Sequence, residues 1–284
     1  MPELPEIETI TRDLERMLHG AVITATRITH SDVLRETTPR TFKRRLTGTT
    51  IVRAWRRAKL IVIDLASPST RGVAPAGDRL VIQPRFTGAL LVDSGDLPES
   101  ERRYSTIAFD LADGRTVHYR DIRRLGTVTL MNPERFAEYV GRLGPEPLDP
   151  AFTVDNFRDV LRKSGQAVKK VLMDQRHLAG VGNIYANESL WRAGIDPSRS
   201  ARRIAPAEAG ELRRAIVDVL NEAIEARGTS FRDYRDPYGD FGAFSRQLAA
   251  YGRAGLPCPR CHGRLVGTHA IDGRQTVFCP RCQH

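Results

Sequence analysis

The sequence predicts an α+β protein with a leading helix, an N-terminal β-sandwich or barrel, a helical region and a C-terminal cysteine-bearing hairpin. Short apolar runs with strand character fill residues 21–131, helical periodicity extends from about 155 to 227, and the four cysteines lie within the last 27 residues. At about 150 residues per domain, a chain of 284 residues suggests about two domains.

The first domain is predicted over residues 1–132. Its leading helix spans 5–19, where apolar residues recur at helical spacing, Pro5 suits a first turn and Gly20 suits a stop. The β-rich runs that follow are separated by turn signals such as Asp113-Gly114, and this pattern is typical of a sandwich or a barrel.

The rest of the chain divides into four predicted parts. Four prolines in 133–150 indicate a linker. A helical domain follows over 151–228, with helices predicted at 155–164, 167–178, 185–193 and 206–227. Residues 229–250 form a long polar and aromatic loop, and loops of that length are often functional. Residues 251–284 hold the cysteines, with Asp272-Gly273 as a two-residue hairpin turn.

The cysteine spacing predicts one structural zinc ion. Two CxxC pairs are separated by 17 residues, within the range expected of a four-cysteine zinc site: Cys258, Cys261, Cys279 and Cys282. The alternative is two disulfides, which require an oxidising compartment. His262 and His269 lie nearby, and we expect them to be bystanders.

The charge and the apolar pattern restrict the partners. A net charge of +10 and a pI of about 9.9 favour polyanions, because neutralising phosphates releases counterions, although charge alone does not separate DNA from RNA or an anionic membrane. The sequence contains no uncharged apolar stretch of membrane-spanning length and no basic-then-apolar start typical of a secretory signal. We therefore expect a cytoplasmic protein, present where the DNA is.

Several short motifs occur together in chain order: PELPEIE at 2–8, RRAK at 56–59, LGPEPL at 143–148, GVGNIY at 180–185 and AYGR at 250–253, followed by the cysteine hairpin. In this combination the chain resembles the formamidopyrimidine-DNA glycosylase family over nearly its whole length. The resemblance implies an N-terminal β-sandwich, a helix–two-turns–helix domain and a zinc finger. It also implies a bacterial, nucleoid-associated enzyme that removes oxidised purines from damaged double-stranded DNA and cleaves the strand by β,δ-elimination. We expect a monomer, since one enzyme serves one lesion.

The resemblance assigns the reaction to the start of the chain. Pro2 is the implied nucleophile once Met1 is removed. Because an α-amino group titrates near ~8, a useful fraction of such groups is neutral and nucleophilic at cellular pH, unlike the amino group of a lysine, which titrates near ~10.4. Glu3 is the implied proton donor and Glu6 a supporting residue, with a plain helix-terminus acid as the alternative for Glu6. Lys59 and Arg274 are the implied proton donors in the elimination steps, and a surface lysine is the alternative for Lys59.

Seven further residues match DNA-contacting positions of the family. Asn183 and Lys169 are implied phosphate contacts, with a helix N-cap and a solvated lysine as the respective alternatives. Arg123 is implied to occupy the gap left by the flipped base. The remaining matches depart from the residues usual in the family: Gln83, Phe86, Tyr104 and Leu125. Ile122, Ser164 and Gly165 are further departures. These departures leave the lesion range and the opposite-base preference open.

Three other functions are considered. An endonuclease VIII type enzyme removes oxidised pyrimidines, and it is disfavoured by PELPE in place of PEGPE and by the long 229–250 loop. Four residues of that loop are candidate hydrogen-bonding partners of an everted purine: Thr229, Ser230, Tyr234 and Tyr238. A non-catalytic zinc-ribbon DNA-binding protein would not need Pro2, Glu3 and Lys59 together. An RNA-binding zinc protein has only the charge in its favour.

Overall fold

The computed structural model describes residues 2–67, 77–231 and 233–284. Met1, whose removal the proposed nucleophile requires, lies outside the described residues, as does Arg232 in the expected 229–250 loop. The chain forms two compact units: residues up to Gly141 together with Arg227–Ala243, and Arg142–Ala226 together with Phe244–His284. The first part of the expected loop therefore belongs to the N-terminal unit.

The first unit opens with helix α1 (Leu4–Leu18), as the sequence predicts. Pro5 lies in the first turn, where a missing N–H costs nothing. The chain leaves the helix through Gly20, which has a φ of +79° that favours glycine. One apolar face of α1 packs into the core of the unit: Ile7, Ile10, Leu14 and Leu18.

Two sheets enclose that core. Their strands are β1 (Ile23–Ile28), β2 (Leu34–Arg35), β3 (Thr50–Arg57), β4 (Leu60–Ala66), β5 (Arg79–Gln83), β6 (Gly88–Asp93), β7 (Ser105–Leu111), β8 (Thr116–Asp121) and β9 (Thr127–Met131). Within the described residues, one sheet has the order β1-β7-β8-β6 and the other β2-β9-β5-β4-β3, antiparallel except for β2 with β9. Apolar residues of both sheets share one cluster, so the predicted sandwich is confirmed.

Three helices of this unit were not predicted: α2 (Pro39–Leu46), α3 (Glu99–Arg102) and α4 (Pro133–Val140). Part of the expected 133–150 linker is therefore helical. Asn132 accepts the backbone N–H of Arg135 at 2.8 Å, and Pro133 follows as the first helical residue, so this proline starts a helix. Phe136 is buried, with its ring edge-on to Trp55 at 5.7 Å between centroids.

The second unit contains α5 (Val154–Arg162), α6 (Val168–Met173), α7 (Asn183–Ala193) and α8 (Pro206–Glu225). The helix predicted over 167–178 ends early because the side chain of Asp174 accepts the N–H of Arg176 at 3.0 Å, which forms a turn. α6, the turns over 174–182 and α7 provide the implied helix–two-turns–helix arrangement.

The hairpin consists of β10 (Val266–Thr268) and β11 (Thr276–Phe278). Thr268 pairs with Thr276, so residues 269–275 form its loop and the predicted two-residue turn at Asp272-Gly273 is wrong. The reason is local hydrogen bonding: Gly273 donates to the carbonyl of His269 at 3.0 Å, and the side chain of Asp272 accepts from the Arg274 N–H at 3.1 Å. Among the described residues, none of the helices combines the length and apolar character that a membrane span requires.

Candidate active site and DNA-binding residues

Pro2 and Glu3 are buried directly before α1, and Glu6 fixes their position. One carboxylate oxygen of Glu6 accepts the Glu3 N–H at 2.7 Å, and the other accepts the N–H of Thr229 at 2.7 Å. The side chain is 1% exposed, so both bonds are sheltered from water. Glu6 is therefore more than a helix-terminus acid, because it joins the start of the chain to the 227–243 segment of the same unit.

The backbone around Thr229 is shaped to fit Glu6. Gly228 has a φ of +86°, and a Cβ atom there would lie 2.9 Å from Cγ of Glu6. The Tyr234 hydroxyl is 3.5 Å from the Glu6 carbonyl oxygen. Burial and the carboxylates of Glu6 and Asp236 raise the pKa of Tyr234 well above its usual value, so this hydroxyl remains a neutral donor.

A second buried contact holds the same segment against α1. The guanidinium of Arg227 donates to Asp13 at 2.5 Å and to Asp236, and both carboxylates are almost completely buried. Burial alone would lower the pKa of Arg227, but the hydrogen bonds to the two carboxylates outweigh it and raise the pKa. Arg227 therefore stays charged and anchors the segment.

Lys59 occupies the two-residue turn between β3 and β4, preceded by Ala58 with a φ of +53°. Only 9% of Lys59 is exposed, which is unusual for a lysine. The alternative of a surface lysine is therefore wrong. Lys59 belongs to the same unit as Pro2, Glu3 and Glu6.

Two neighbouring loops carry three of the residues matched to DNA contacts. The Thr87 hydroxyl accepts the N–H of Arg123 at 3.0 Å and donates to Asp121 at 2.5 Å, so it ties the loop after β5 to the loop after β8. Phe86 is 48% exposed and Leu125 is 46% exposed. The structure thus brings Phe86 and Arg123 into adjacent loops and leaves their side chains accessible.

Gln83 and Tyr104 are half-buried in the same unit. Gln83 ends β5, and Arg103 stacks over the ring of Tyr104 at 4.8 Å. The Tyr104 carbonyl accepts the N–H of Asp121 at 3.1 Å, so Tyr104 lies at the end of β8, where the Arg123 loop begins.

The 227–243 segment exposes aromatic side chains that sequence analysis did not single out. Phe231 and Phe241 are exposed, and Arg235 lies 3.6 Å from the centre of the Phe241 ring. Of the hydrogen-bonding candidates in this segment, Thr229 and Tyr234 are buried against Glu6, and the Ser230 hydroxyl donates to Tyr234 and accepts from Gly242. Those three polar groups hold the segment together, whereas Tyr238 is exposed.

In the second unit, Lys169 and Asn183 both contact the hairpin loop 269–275, and Lys169 also contacts Thr276, the first residue after it. Lys169 is fully buried, and its ammonium donates to the Thr276 hydroxyl at 2.7 Å, so the alternative of a solvated lysine is wrong. Asn183 is the first residue of α7, with Gly182 at the N-cap, and its side chain donates to the Gln275 carbonyl at 3.1 Å. The N-cap alternative for Asn183 is therefore also wrong. Arg274 lies exposed in the loop.

The four cysteines form a candidate metal centre in the second unit. Their sulfur atoms all lie within 4.8 Å of one another, and Cys261 and Cys279 are 3.5 Å apart. A disulfide needs about 2.05 Å, and all four are free thiols. Four thiolates at about 2.3 Å from a tetrahedral zinc ion are about 3.8 Å apart, so the cluster fits such an ion.

The environment of Cys258 also favours a metal ligand. Burial would raise the pKa of its thiol, but backbone N–H groups of Cys261 and Arg260 and the Trp191 indole together lower it, whereas burial and the neighbouring thiols raise the pKa of Cys282. The indole nitrogen lies 3.5 Å from the Cys258 sulfur. A hydrogen bond of this kind orients a metal-binding thiolate. Among the described residues, His262 and His269 are not part of the cluster.

Two family models match most of the chain. The model of the formamidopyrimidine-DNA glycosylase N-terminal domain matches residues 1–128, and that of the formamidopyrimidine-DNA glycosylase H2TH domain matches residues 143–235. The formamidopyrimidine-DNA glycosylase of Heliobacterium modesticaldum is 40% identical over 286 residues, and that of Herpetosiphon aurantiacus is 39% identical over 284 residues; each alignment covers 100% of both chains.

Solved structures agree with these sequence matches. The Lactococcus lactis Fpg in complex with abasic-site DNA has a TM-score of 0.87 and 31% identity, with 99% of each chain covered. The MutM (Fpg) protein of Thermus thermophilus has a TM-score of 0.84 and 35% identity, with coverage of 99% of this chain and 98% of that one. The likeness extends over the full chain rather than one domain.

Proposed function

Because the chain belongs to the formamidopyrimidine-DNA glycosylase family and is therefore a base-excision-repair DNA glycosylase with AP lyase activity, we propose that Pro2 is its nucleophile once Met1 is removed. The observation that carries this proposal is the Glu6 carboxylate, which holds the Glu3 N–H at 2.7 Å and so fixes the residue next to Pro2. A nucleophile at a chain terminus needs such an anchor, because a free terminus is otherwise poorly ordered.

The chemistry follows from a secondary amine. The neutral Pro2 nitrogen attacks C1′ of the damaged nucleotide, the bond from C1′ to the base breaks, and the base leaves with a proton. Protonation of O4′ then breaks the C1′–O4′ bond and opens the sugar ring. The resulting iminium ion between the nitrogen and C1′ withdraws electrons and acidifies the C2′ protons. Loss of one C2′ proton breaks the C3′–O bond and expels the 3′ phosphate. Loss of the C4′ proton then breaks the C5′–O bond and expels the 5′ phosphate. Hydrolysis of the iminium returns the free amine.

Two other residues of the first unit take part in proton transfer. Glu3 is the proposed proton donor at the sugar, and it adjoins Pro2 and is buried, as a group that must work away from bulk water requires. Lys59 is the proposed proton donor during β-elimination and a phosphate contact. Its position in a tight turn, with little exposure, gives its ammonium a defined place.

We propose a damaged DNA duplex as the partner, bound by a single copy of this chain. Gln83, Tyr104 and Asn183 are the proposed backbone contacts, and Arg274 contacts the phosphates flanking the lesion and donates a proton in δ-elimination. Arg123 fills the gap left by the flipped nucleotide, with Phe86 and Leu125 beside it. The exposure of Phe86, Arg123 and Leu125 supports this, as does the DNA in the Lactococcus lactis complex.

The cysteine cluster is the proposed site of one structural zinc ion. Cys258, Cys261, Cys279 and Cys282 would hold it, and the ion would supply folding energy to a hairpin too small for a core of its own. The proposed parts of the enzyme remain a catalytic domain, a helix–two-turns–helix domain, a lesion-capping segment and a zinc finger. Since its relatives are bacterial, we place the enzyme in the cytoplasm, at the nucleoid.

Oxidised purines are the proposed substrates, and duplexes with single lesions test this directly. We expect excision of 8-oxoguanine and formamidopyrimidines and slower release of oxidised pyrimidines. The reverse order of rates would favour the endonuclease VIII type of specificity. Borohydride should trap a covalent adduct on an abasic-site duplex, and a protein that binds the duplex without forming an adduct would contradict the lyase mechanism.

A further inference from the structure

The ammonium of Lys169 is buried against the hairpin, where a DNA phosphate does not reach it. Its side chain is 0% exposed, and its ammonium contacts the Thr276 hydroxyl at 2.7 Å, the Asp272 carboxylate at 3.4 Å and the Gln275 carbonyl at 3.5 Å. These oxygens all belong to the hairpin, so the ammonium is directed into the protein and not toward solvent. A phosphate would have to displace part of the hairpin to reach it.

Asp272 connects this buried lysine to Arg274. The oxygen of Asp272 that faces Lys169 also accepts the backbone N–H of Arg274 at 3.1 Å. Asp272 is largely buried, with 11% of its side chain exposed, so water screens this ion pair less than a surface pair. Gly273, at a φ of +76°, allows the chain to turn between Asp272 and the exposed Arg274.

We propose that Lys169 and Asp272 are positioning residues, which hold the 269–275 loop against α6 and thereby set where Arg274 meets the DNA. Lys169 then acts on the DNA through Arg274 rather than by binding a phosphate itself. This inference rests on the proposed function, because it needs Arg274 to contact the DNA backbone.

The sign of the Asp272→Asn effect separates the two roles of Lys169. If Lys169 binds phosphate, Asp272 is a competing anion, and its neutralisation tightens DNA binding. If the pair positions Arg274, neutralisation loosens the loop and weakens binding. We expect Asp272→Asn to weaken binding to a duplex with a tetrahydrofuran abasic analogue several-fold at 0.1 M salt. Asp155→Asn is the matched charge control, because its side chain is 86% exposed on α5, and we expect it to leave binding unchanged.

The salt dependence of binding gives a second, independent test. The slope of log K against log salt is negative, and each lost phosphate contact reduces its magnitude by about 0.9. We expect Arg274→Gln and Lys169→Met each to reduce that magnitude by about 0.9, and the double variant to reduce it no further. A decrease of about 1.8 in the double variant, tighter binding by Asp272→Asn, or an unchanged slope in Arg274→Gln overturns the inference.

Borohydride trapping on each variant keeps the two proposals apart. At duplex concentrations that saturate each variant, Lys169→Met and Asp272→Asn should still form the covalent adduct, because neither residue belongs to the first unit with Pro2. Adduct formation with additive salt slopes overturns the positioning role and leaves the nucleophile intact. Loss of the adduct in the unsubstituted protein contradicts the proposed function instead.

Discussion

Replacing Glu6 by Gln tests whether this carboxylate anchors the start of the chain. The carboxylate accepts two buried backbone N–H groups, from Glu3 and Thr229, each at 2.7 Å. A glutamine keeps one acceptor oxygen and turns an NH2 group toward the other donor. One charge-assisted bond is lost, at about 1.5–3 kcal/mol, so we expect the first unit to lose about 2 kcal/mol of stability.

The two tryptophans make that stability measurable for one unit at a time. Trp55 lies in the first unit and Trp191 in the second, so in a Trp191→Phe background the tryptophan fluorescence reports the urea unfolding of the first unit, which contains Glu6. Glu36→Gln is the control, because Glu36 pairs with Arg135 in a solvent-exposed ion pair, and such pairs add little to stability. A Glu6→Gln effect no larger than that of Glu36→Gln would refute the anchoring role.

Three further predictions concern other parts of the molecule. Gly228→Ala places a Cβ atom 2.9 Å from Cγ of Glu6, at a residue with a φ of +86°. We therefore expect the free energy of unfolding to fall by about 1–3 kcal/mol in the same urea assay, and borohydride trapping to weaken. Unchanged values would contradict the close approach. When its thiols are modified, the purified protein should release one zinc ion per chain, which a colorimetric chelator measures, and DNA binding should fall as the zinc is released. Full DNA binding after zinc release would contradict a structural role for the metal. Burial lowers the pKa of His118 below its usual value of 6.5, so the unfolded state takes up a proton at a higher pH than the folded state does. The free energy of unfolding should therefore fall as the pH drops through about 6.5, by at most about 1.4 kcal/mol per pH unit. His118→Gln should remove that pH dependence in urea titrations, and an unaltered dependence would assign it to another group.

The elements that sequence analysis located correctly are those with a local cause. The apolar spacing of Ile7, Ile10 and Leu14 describes the buried face of α1, and each β-rich run corresponds to a strand because its turn residues lie at its ends. The cysteine spacing was sufficient for the cluster, since both ligand pairs are local CxxC turns.

The features that sequence analysis missed depend on distant partners or on competing local signals. Glu6 and Thr229 are 223 residues apart, and the hydrophobic periodicity of the sequence gives no sign of the hydrogen bond between them. Lys169 follows a helical pattern whether solvated or buried, and only the packing of the hairpin decides which. Four prolines suggested a linker, but Asn132 before Pro133 is a helix start that could have been recognised from the sequence.

The central claim is that the Pro2 nitrogen forms the covalent bond to deoxyribose, and peptide mapping of the borohydride-reduced adduct tests it most directly. Mass spectrometry of the digested adduct should find the sugar remnant on an N-terminal peptide that begins at Pro2 and lacks Met1. A remnant on Lys59 or another lysine, or an adduct formed by protein that retains Met1, would contradict the account.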